Sequence, residues 1–396
     1  GPDALAILAL RGLREIVVGE TTWTLSLRPD GVGEVVTASD GSAMAYWLVL
    51  RQSYRPSENA IRRLLEHRDL RVASKSEELS RDREVAALLE VDARAVPRLR
   101  QTGLVFATLP TGVELQLPIL LQADWLLNAG RDGLLNAAED PWQAEIVAQV
   151  PGLLRQLVTW IRDAARSERE AYRGLDVLAG LNPASGDLHG ALARPKLRAA
   201  IADALSDVDF LPVHVEGTEG LISSVRAGEV ADVPPALLRP FQQQEDLVPS
   251  LVFGGAVLDA HFAERHAGAL NTLRQLGLLR PLGLEQLQEL WPAALDDWWS
   301  LATHVPVGGD RKAIETRAAT AVLQLMAAIQ RLRTRDPRWS RIACVLTAAG
   351  RFAPPQEIVR YAGPMPGPEE ELGVALREHL AAVFLPEDVM VHPTLC

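Results

Sequence analysis

Gly103–Leu135 reads GLVFATLPTGVELQLPILLQADWLLNAGRDGLL, and the rest of the chain is placed around it. Leu104–Leu109 and Glu114–Leu121 are apolar runs of strand length. Pro110-Thr111-Gly112 between them carries turn chemistry, so the stretch predicts two central strands joined there. Leu126–Leu135 then predicts a loop or short turn, in which Arg131-Asp132 is flanked by Gly130 and Gly133.

Strand signals continue upstream. Ala4–Val18 begins as a helix and runs into a β-branched strand, and Thr21–Leu27 alternates with the period of a half-buried strand. Asp30-Gly31 and Asp40-Gly41 read as hairpin turns, with strands at Val35–Thr37 and Met44–Leu50 and a short helix at Glu58–His67. Arg81–Asp92 is helical by propensity alone. The bracketing strands and its length favour a strand around Glu84–Val91, which is the reading adopted.

Downstream, Pro141 fits the first position of a helix, behind Glu139 and Asp140, which suit the positive end of the dipole. That helix is predicted to run to about Arg166, with Ile146, Val150, Leu153, Leu157, Trp160 and Ile161 on one face. Beyond it the texture is mostly helical. Helices are predicted at 192–205, 256–275, 284–295, 312–334 and 368–383. Phe210–Val230 and Ile342–Arg360 resemble each other: each follows a long amphipathic helix, and each has an apolar strand, a turn ending in Gly (Gly220, Gly350) and a second short strand. The pattern reads as a degenerate duplication of a helix plus β-hairpin, over about 190–255 and 312–365, against chance similarity.

The totals bound the function. At 396 residues, 48% of them hydrophobic, two or three domains are expected. No apolar run approaches the ~20 residues that span a bilayer, and no signal-peptide pattern is present. A net charge of −11 argues against a general nucleic-acid or anionic-membrane binder. Cys344 and Cys396 lack a Cys-x-x-Cys partner, which argues against zinc and makes a reduced cytoplasm the default setting. His261 and His266 are five apart, about 140° around a helix, rather than the four a zinc protease needs; a surface helix is expected. There is no P-loop and no Gly-x-Ser-x-Gly elbow. Gly308-Gly309-Asp310 reads as a loop. Trp291, Trp298 and Trp299 read as core, with a partner surface as the other reading.

The pattern Phe106-Ala107-Thr108-Leu109-Pro110-Thr111-Gly112, Leu117-Pro118, Gln122-Ala123-Asp124-Trp125-Leu126-Leu127 and Arg131-Asp132 resembles the sacsin-like, Hsp90-type (GHKL) ATPases. In these a similar phrase follows the nucleotide domain, and Leu10–Ile16 is similar to the segment just after that domain. The resemblance covers residues 4–165 and, more loosely, the hairpin repeats. It implies an α+β chain: a ribosomal-S5-like middle domain at 3–166, then a helical region at 167–396 with two β-hairpin insertions. The family's catalytic Glu, magnesium-binding Asn and D-x-G-x-G loop are not found, and Gly1-Pro2 is expected to be a cloning scar. ATP and Mg2+ are then implied for an ATP-binding domain joined in cis, and none for this stretch alone.

The resemblance further implies that Arg131 reaches the γ-phosphate, with Gln122 and Asn128 as weaker candidates for that contact. The bland reading of Arg131-Asp132 is an exposed turn. The implied role is to couple ATP hydrolysis to a protein client or partner, in chaperone-like remodelling or a bacterial defence system. A homodimer stays open. The alternative is a non-catalytic protein-interaction scaffold.

Overall fold

The alternating Thr21–Leu27 segment lies in strand β2 (Thr21–Asp30), flanked antiparallel by β1 (Glu15–Val18) and β3 (Gly33–Ser39). The computed structural model describes residues 14–18, 20–67, 80–107, 109–115, 117–128, 130, 133–134, 140–181, 194–214, 222–242, 253, 256–279, 282, 284–304, 311–334, 336–347 and 351–354. The helices predicted near residue 4 and at 368–383, the Gly308-Gly309-Asp310 loop, Gly220, Gly350 and Cys396 lie outside them. The described residues fall into two compact units. One lies within Gly1–Leu211, Ser224–Gly228 and His266–Leu279, the other within Pro212–Ser223, Glu229–Arg265 and Arg280–Cys396. The described residues are mixed α and β.

The first unit holds an eight-stranded sheet in the order β1-β2-β3-β4-β5-β8-β6-β7. Both predicted Asp-Gly turns are present, with Gly31 at φ 60° and Gly41 at φ 85°. At the second, Asp40 Oδ1 accepts from the Ser42 and Ala43 N–H groups at 2.9 and 2.8 Å, and these bonds hold its carboxyl below the usual range. β4 (Met44–Tyr54) and β5 (Arg83–Val91) pair antiparallel from Tyr46↔Val91 to Tyr54↔Arg83. The strand reading of Arg81–Asp92 therefore holds. Its apolar run is continuous because Val85 to Leu89 are buried on both faces. Val36, Trp47, Val49, Ala86, Leu88, Phe106 and Leu120 pack together on one face.

The predicted turn at Pro110-Thr111-Gly112 is corrected. β6 (Gly103–Ala107) pairs with β7 (Leu109–Leu115), so those three residues lie in a strand. β7 is the sheet's edge, where the missing proline N–H costs no ladder bond. The register shifts between Leu104 and Phe106, and there the Thr111 hydroxyl donates to Val105 O at 2.8 Å and accepts from Val113 N–H at 3.1 Å. The strand predicted over Glu114–Leu121 is also split. β8 (Leu120–Gln122) lies between β5 and β6, antiparallel to the first and parallel to the second. Leu117–Ile119 therefore crosses the start of β6, where Leu104 N–H donates to Ile119 O at 3.2 Å.

Helix α1 (Glu58–His67) matches its prediction. The long helix after Pro141 is corrected to two, α2 (Pro141–Val147) and α3 (Val150–Ala165). Pro151 has no N–H to give Val147 O, so the ladder breaks there. The predicted apolar face is buried as expected, and Val150, Leu153, Leu154 and Leu157 pack on Leu50, Ala87, Leu89 and Leu121. A 3-10 run, Arg169–Leu181, follows. Its sequence repeats every third residue: Tyr172, Leu175, Leu178 and Leu181 are buried in one row, Ala171, Gly174 and Val177 in the next. With three residues per turn these rows stack, leaving Glu170, Arg173 and Asp176 on the third face. Glu170 pairs with Arg173 at 3.3 Å. The unit also includes α4 (Pro195–Ser206).

β9 (Asp209–His214) and β10 (Ile222–Arg226) form a two-stranded sheet at the first predicted hairpin. In the second unit, β11 (Val230–Ala231) runs parallel to β12 (Ala256–Val257), with α5 (Pro235–Gln242) between them in sequence. The helix predicted over 256–275 is corrected: it starts with β12, then α6 (Ala260–Arg265), and breaks at His266 before α7 (Ala267–Gln275). His266 is not on a surface helix either. It is 3% exposed and its Nδ1 lies 2.9 Å from Asp176 Oδ1, both within the first unit.

α8 (Leu284–Ala302) and α9 (Arg311–Arg333) frame the second core. Trp291, Trp298 and Trp299 are all buried in it, so these tryptophans are core and not a partner surface. Trp298 meets Phe352 at 6.4 Å between ring centroids, tilted by 59°. β13 (Val345–Leu346) and β14 (Phe352–Ala353) pair antiparallel at the second predicted hairpin. Phe352 N–H donates to Asp296 Oδ1 at 2.7 Å, tying β14 to α8, while burial raises the Asp296 carboxyl. No helix among the described residues is long and apolar enough to cross a membrane.

Burial pushes the Cys344 thiol up to about 12, so little thiolate forms near neutral pH. In a Cys396→Ser variant, a disulfide reagent at pH 8 is expected to leave the folded protein unlabelled for hours and to label one thiol at once in guanidinium. Rapid labelling of the folded form would contradict this burial.

Candidate functional site

The segment after β8 is fastened from beneath by α2. Asp140 caps that helix: its Oδ1 accepts from Trp142 N–H at 2.9 Å and from Gln143 N–H at 3.4 Å, with Pro141 behind it. Its Oδ2 lies 2.6 Å from Arg63 Nε on α1, and the carboxylate is 2% exposed. The capped first turn aims two side chains at the strand exit. Trp142 Nε1 donates to Asp124 O at 2.7 Å. Gln143, wholly buried, donates from Nε2 to Leu126 O at 2.7 Å and accepts at Oε1 from Leu126 N–H at 3.4 Å.

The loop above this platform is closed at its base. Asn128 N–H donates to Gly133 O at 3.0 Å, and Gly133 N–H donates to Asn128 Oδ1 at 3.3 Å. Leu127 and Leu134 form an isolated antiparallel bridge below them. Arg131 and Asp132 lie outside the described residues, bracketed in sequence by this closed stem. Beside the stem, Asp124 pairs with Arg83 at 3.1 Å. Burial, helped by the Asp124 and Glu145 carboxylates, raises the phenol of Tyr54. Glu145 in turn accepts from Ser57 N–H at 3.0 Å, joining α2 to the start of α1.

Of the three candidates for the γ-phosphate contact, Gln122 and Asn128 are among the described residues and Arg131 is not. Gln122 is 5% exposed, opposite Ala86 and Phe106 within the sheet. Asn128 has its side-chain oxygen on the Gly133 amide. Sequence reading missed Gln143, Trp142 and the Arg63–Asp140 pair. The Asp140-Pro141 step is the signal for the cap, but nothing local marks Gln143 as the residue that holds Leu126. Among the described residues no cluster of three His, Cys, Asp or Glu could hold a metal ion. Among the described residues, the arrangement closes the stem at Asn128 and Gly133 and ties Leu126 to α2. Comparison with protein-family models, with curated proteins and with solved structures gives no match for this chain.

Proposed function

We infer that this chain is the coupling part of a sacsin-like, Hsp90-type ATPase, with the first unit as its middle domain. One observation supports the reading: the loop bracketing Arg131 has a hydrogen-bonded stem fixed to a buried, capped helix. A residue that must meet a phosphate held by another domain needs such a base, because small displacements cost large factors in rate. In this reading the sheet unit has the S5-like fold, and the second unit contacts a client or partner. ATP and Mg2+ belong to a nucleotide-binding module joined in cis, and no step is assigned to a metal on this chain.

Arg131 acts by electrostatics. Negative charge develops on the transferred phosphoryl group, and a guanidinium delivered from a second domain stabilises it only when the domains close. Closure and hydrolysis are coupled in this way. In the intact ATPase, Arg131→Ala is expected to lower kcat roughly 10²-fold, the cost of losing one preorganised donor, with ATP affinity nearly unchanged. Turnover equal to wild type would sink the proposal. Loss of ATP affinity in step with kcat would make Arg131 a ground-state contact instead.

A further inference from the structure

The sheet face beneath α3 is apolar where the helix covers it. Leu50, Ala87, Leu89 and Leu121 meet the helix there. Further along the same face, toward β2, polar side chains join buried Val35 and Val91. The register sets Ser26, Thr37, Tyr46 and Val91 in one cross-strand row over β2 to β5, and Arg28 stands one step along, opposite Val35. These residues floor a groove of about 200 Å³. Its far wall is the turn after β5, where Asp92 Oδ1 accepts from Arg94 N–H at 2.8 Å and Val96 N–H at 3.0 Å, and Ala95 takes φ 65°. A non-glycine residue there is strained, and the Asp92 bonds hold it, so the wall is preformed.

We propose that this groove binds a small oxyanion, a carboxylate or phosphate carried on a compact molecule. Arg28 carries the argument: it is exposed and, among the described residues, has no carboxylate partner. The Ser26 and Thr37 hydroxyls also have no hydrogen-bond partner there, and the Tyr46 hydroxyl reaches only the weak acceptor Met44 Sδ at 3.3 Å. A guanidinium beside three hydroxyl donors matches an oxyanion, which the guanidinium grips through paired N–H groups. The Asp92 carboxylate is the one acid in the lining. One of its oxygens is occupied by its own loop amides, and Arg94 and Arg98 lie close enough to act on its charge. The volume falls below the roughly 300–1,000 Å³ of sites for larger ligands, which excludes a whole nucleotide.

The test is amide chemical shifts at Ser26, Thr37, Tyr46 and Ala95, with inorganic phosphate and acetate titrated separately at constant ionic strength and chloride as control. One anion is expected to saturate with Kd on the order of 1 mM, and which one tells a phosphate from a carboxylate ligand. Arg28→Gln is expected to raise that Kd roughly tenfold, as loss of a charge-assisted pair should, with unchanged melting because the side chain is exposed. Thr37→Val should raise it severalfold. Shifts that chloride reproduces, that do not saturate, or that Arg28→Gln leaves alone overturn the proposal. Neither outcome depends on ATP turnover.

Discussion

Gly103→Ala is expected to cost the sheet unit at least about 3 kcal/mol, the upper end of overpacking penalties. A methyl group built on Gly103 falls inside the backbone oxygens of Leu117 and Ile119. Those oxygens belong to the segment that crosses the start of β6 on its way to β8. Backbone cannot swing aside as a side chain can, and this backbone is pinned: Ile119 O accepts from Leu104, and Ile119 N–H donates to Leu117 O at 2.8 Å. Relief would require pulling β8 from between β5 and β6, which strips the ladder at Ala86, Ala87 and Leu88. Hydrogen exchange at the buried amides of β4 and β5 reads the loss, since these open only with the whole unit. Gly228→Ala is the control: no atom lies within 4 Å of its added methyl, so little change is expected. Equal exchange in the two variants would mean that the crossing has freedom the packing does not show.

Gly103 also marks where sequence reading ends. The strands of the meander were legible because their signals are local: alternation in β2, Asp-Gly turns on either side of β3, and length in β5. The β6–β8 region was not, because its signals are set by partners distant in sequence. Pro110-Thr111-Gly112 has turn chemistry, yet sits in an edge strand where a proline is harmless and a threonine hydroxyl bridges a bulge. Leu117-Pro118-Ile119 reads as more strand, yet is the crossing itself. The period of three in Tyr172, Leu175, Leu178 and Leu181 was present in the sequence and fixes a 3-10 run. A search for periods of 3.6 and 2 alone passes over it. His266 looked like a surface residue because Asp176, ninety positions away, carries no mark in the sequence.

Of the candidate site, the loop and its glycines were legible and the platform was not. A cap is a local pattern, whereas the Gln143 contact pairs a helix side chain with backbone 17 residues away. That contact yields the second large effect. Gln143→Leu keeps the volume but strands Leu126 N–H and C=O in a buried place. At about 1–3 kcal/mol for each unsatisfied group, a loss of about 3 kcal/mol is expected. Gln149→Leu is the control, because the Gln149 side chain bonds only the nearby Glu145 O and its loss should cost a few tenths of that. The two outcomes that matter differ in place. If Gln143 positions the loop, exchange at the Asn128 and Gly133 amides rises far more than at β4. Under the proposed coupling role, Gln143→Leu in the intact protein then lowers ATP turnover with ATP affinity kept, and adds little on top of Arg131→Ala, since both act through one residue. If exchange rises evenly through the unit and the two substitutions add in full, Gln143 serves stability alone. The stem would then hold its loop without α2, and the reason for reading this corner of the sheet as the coupling site would be gone.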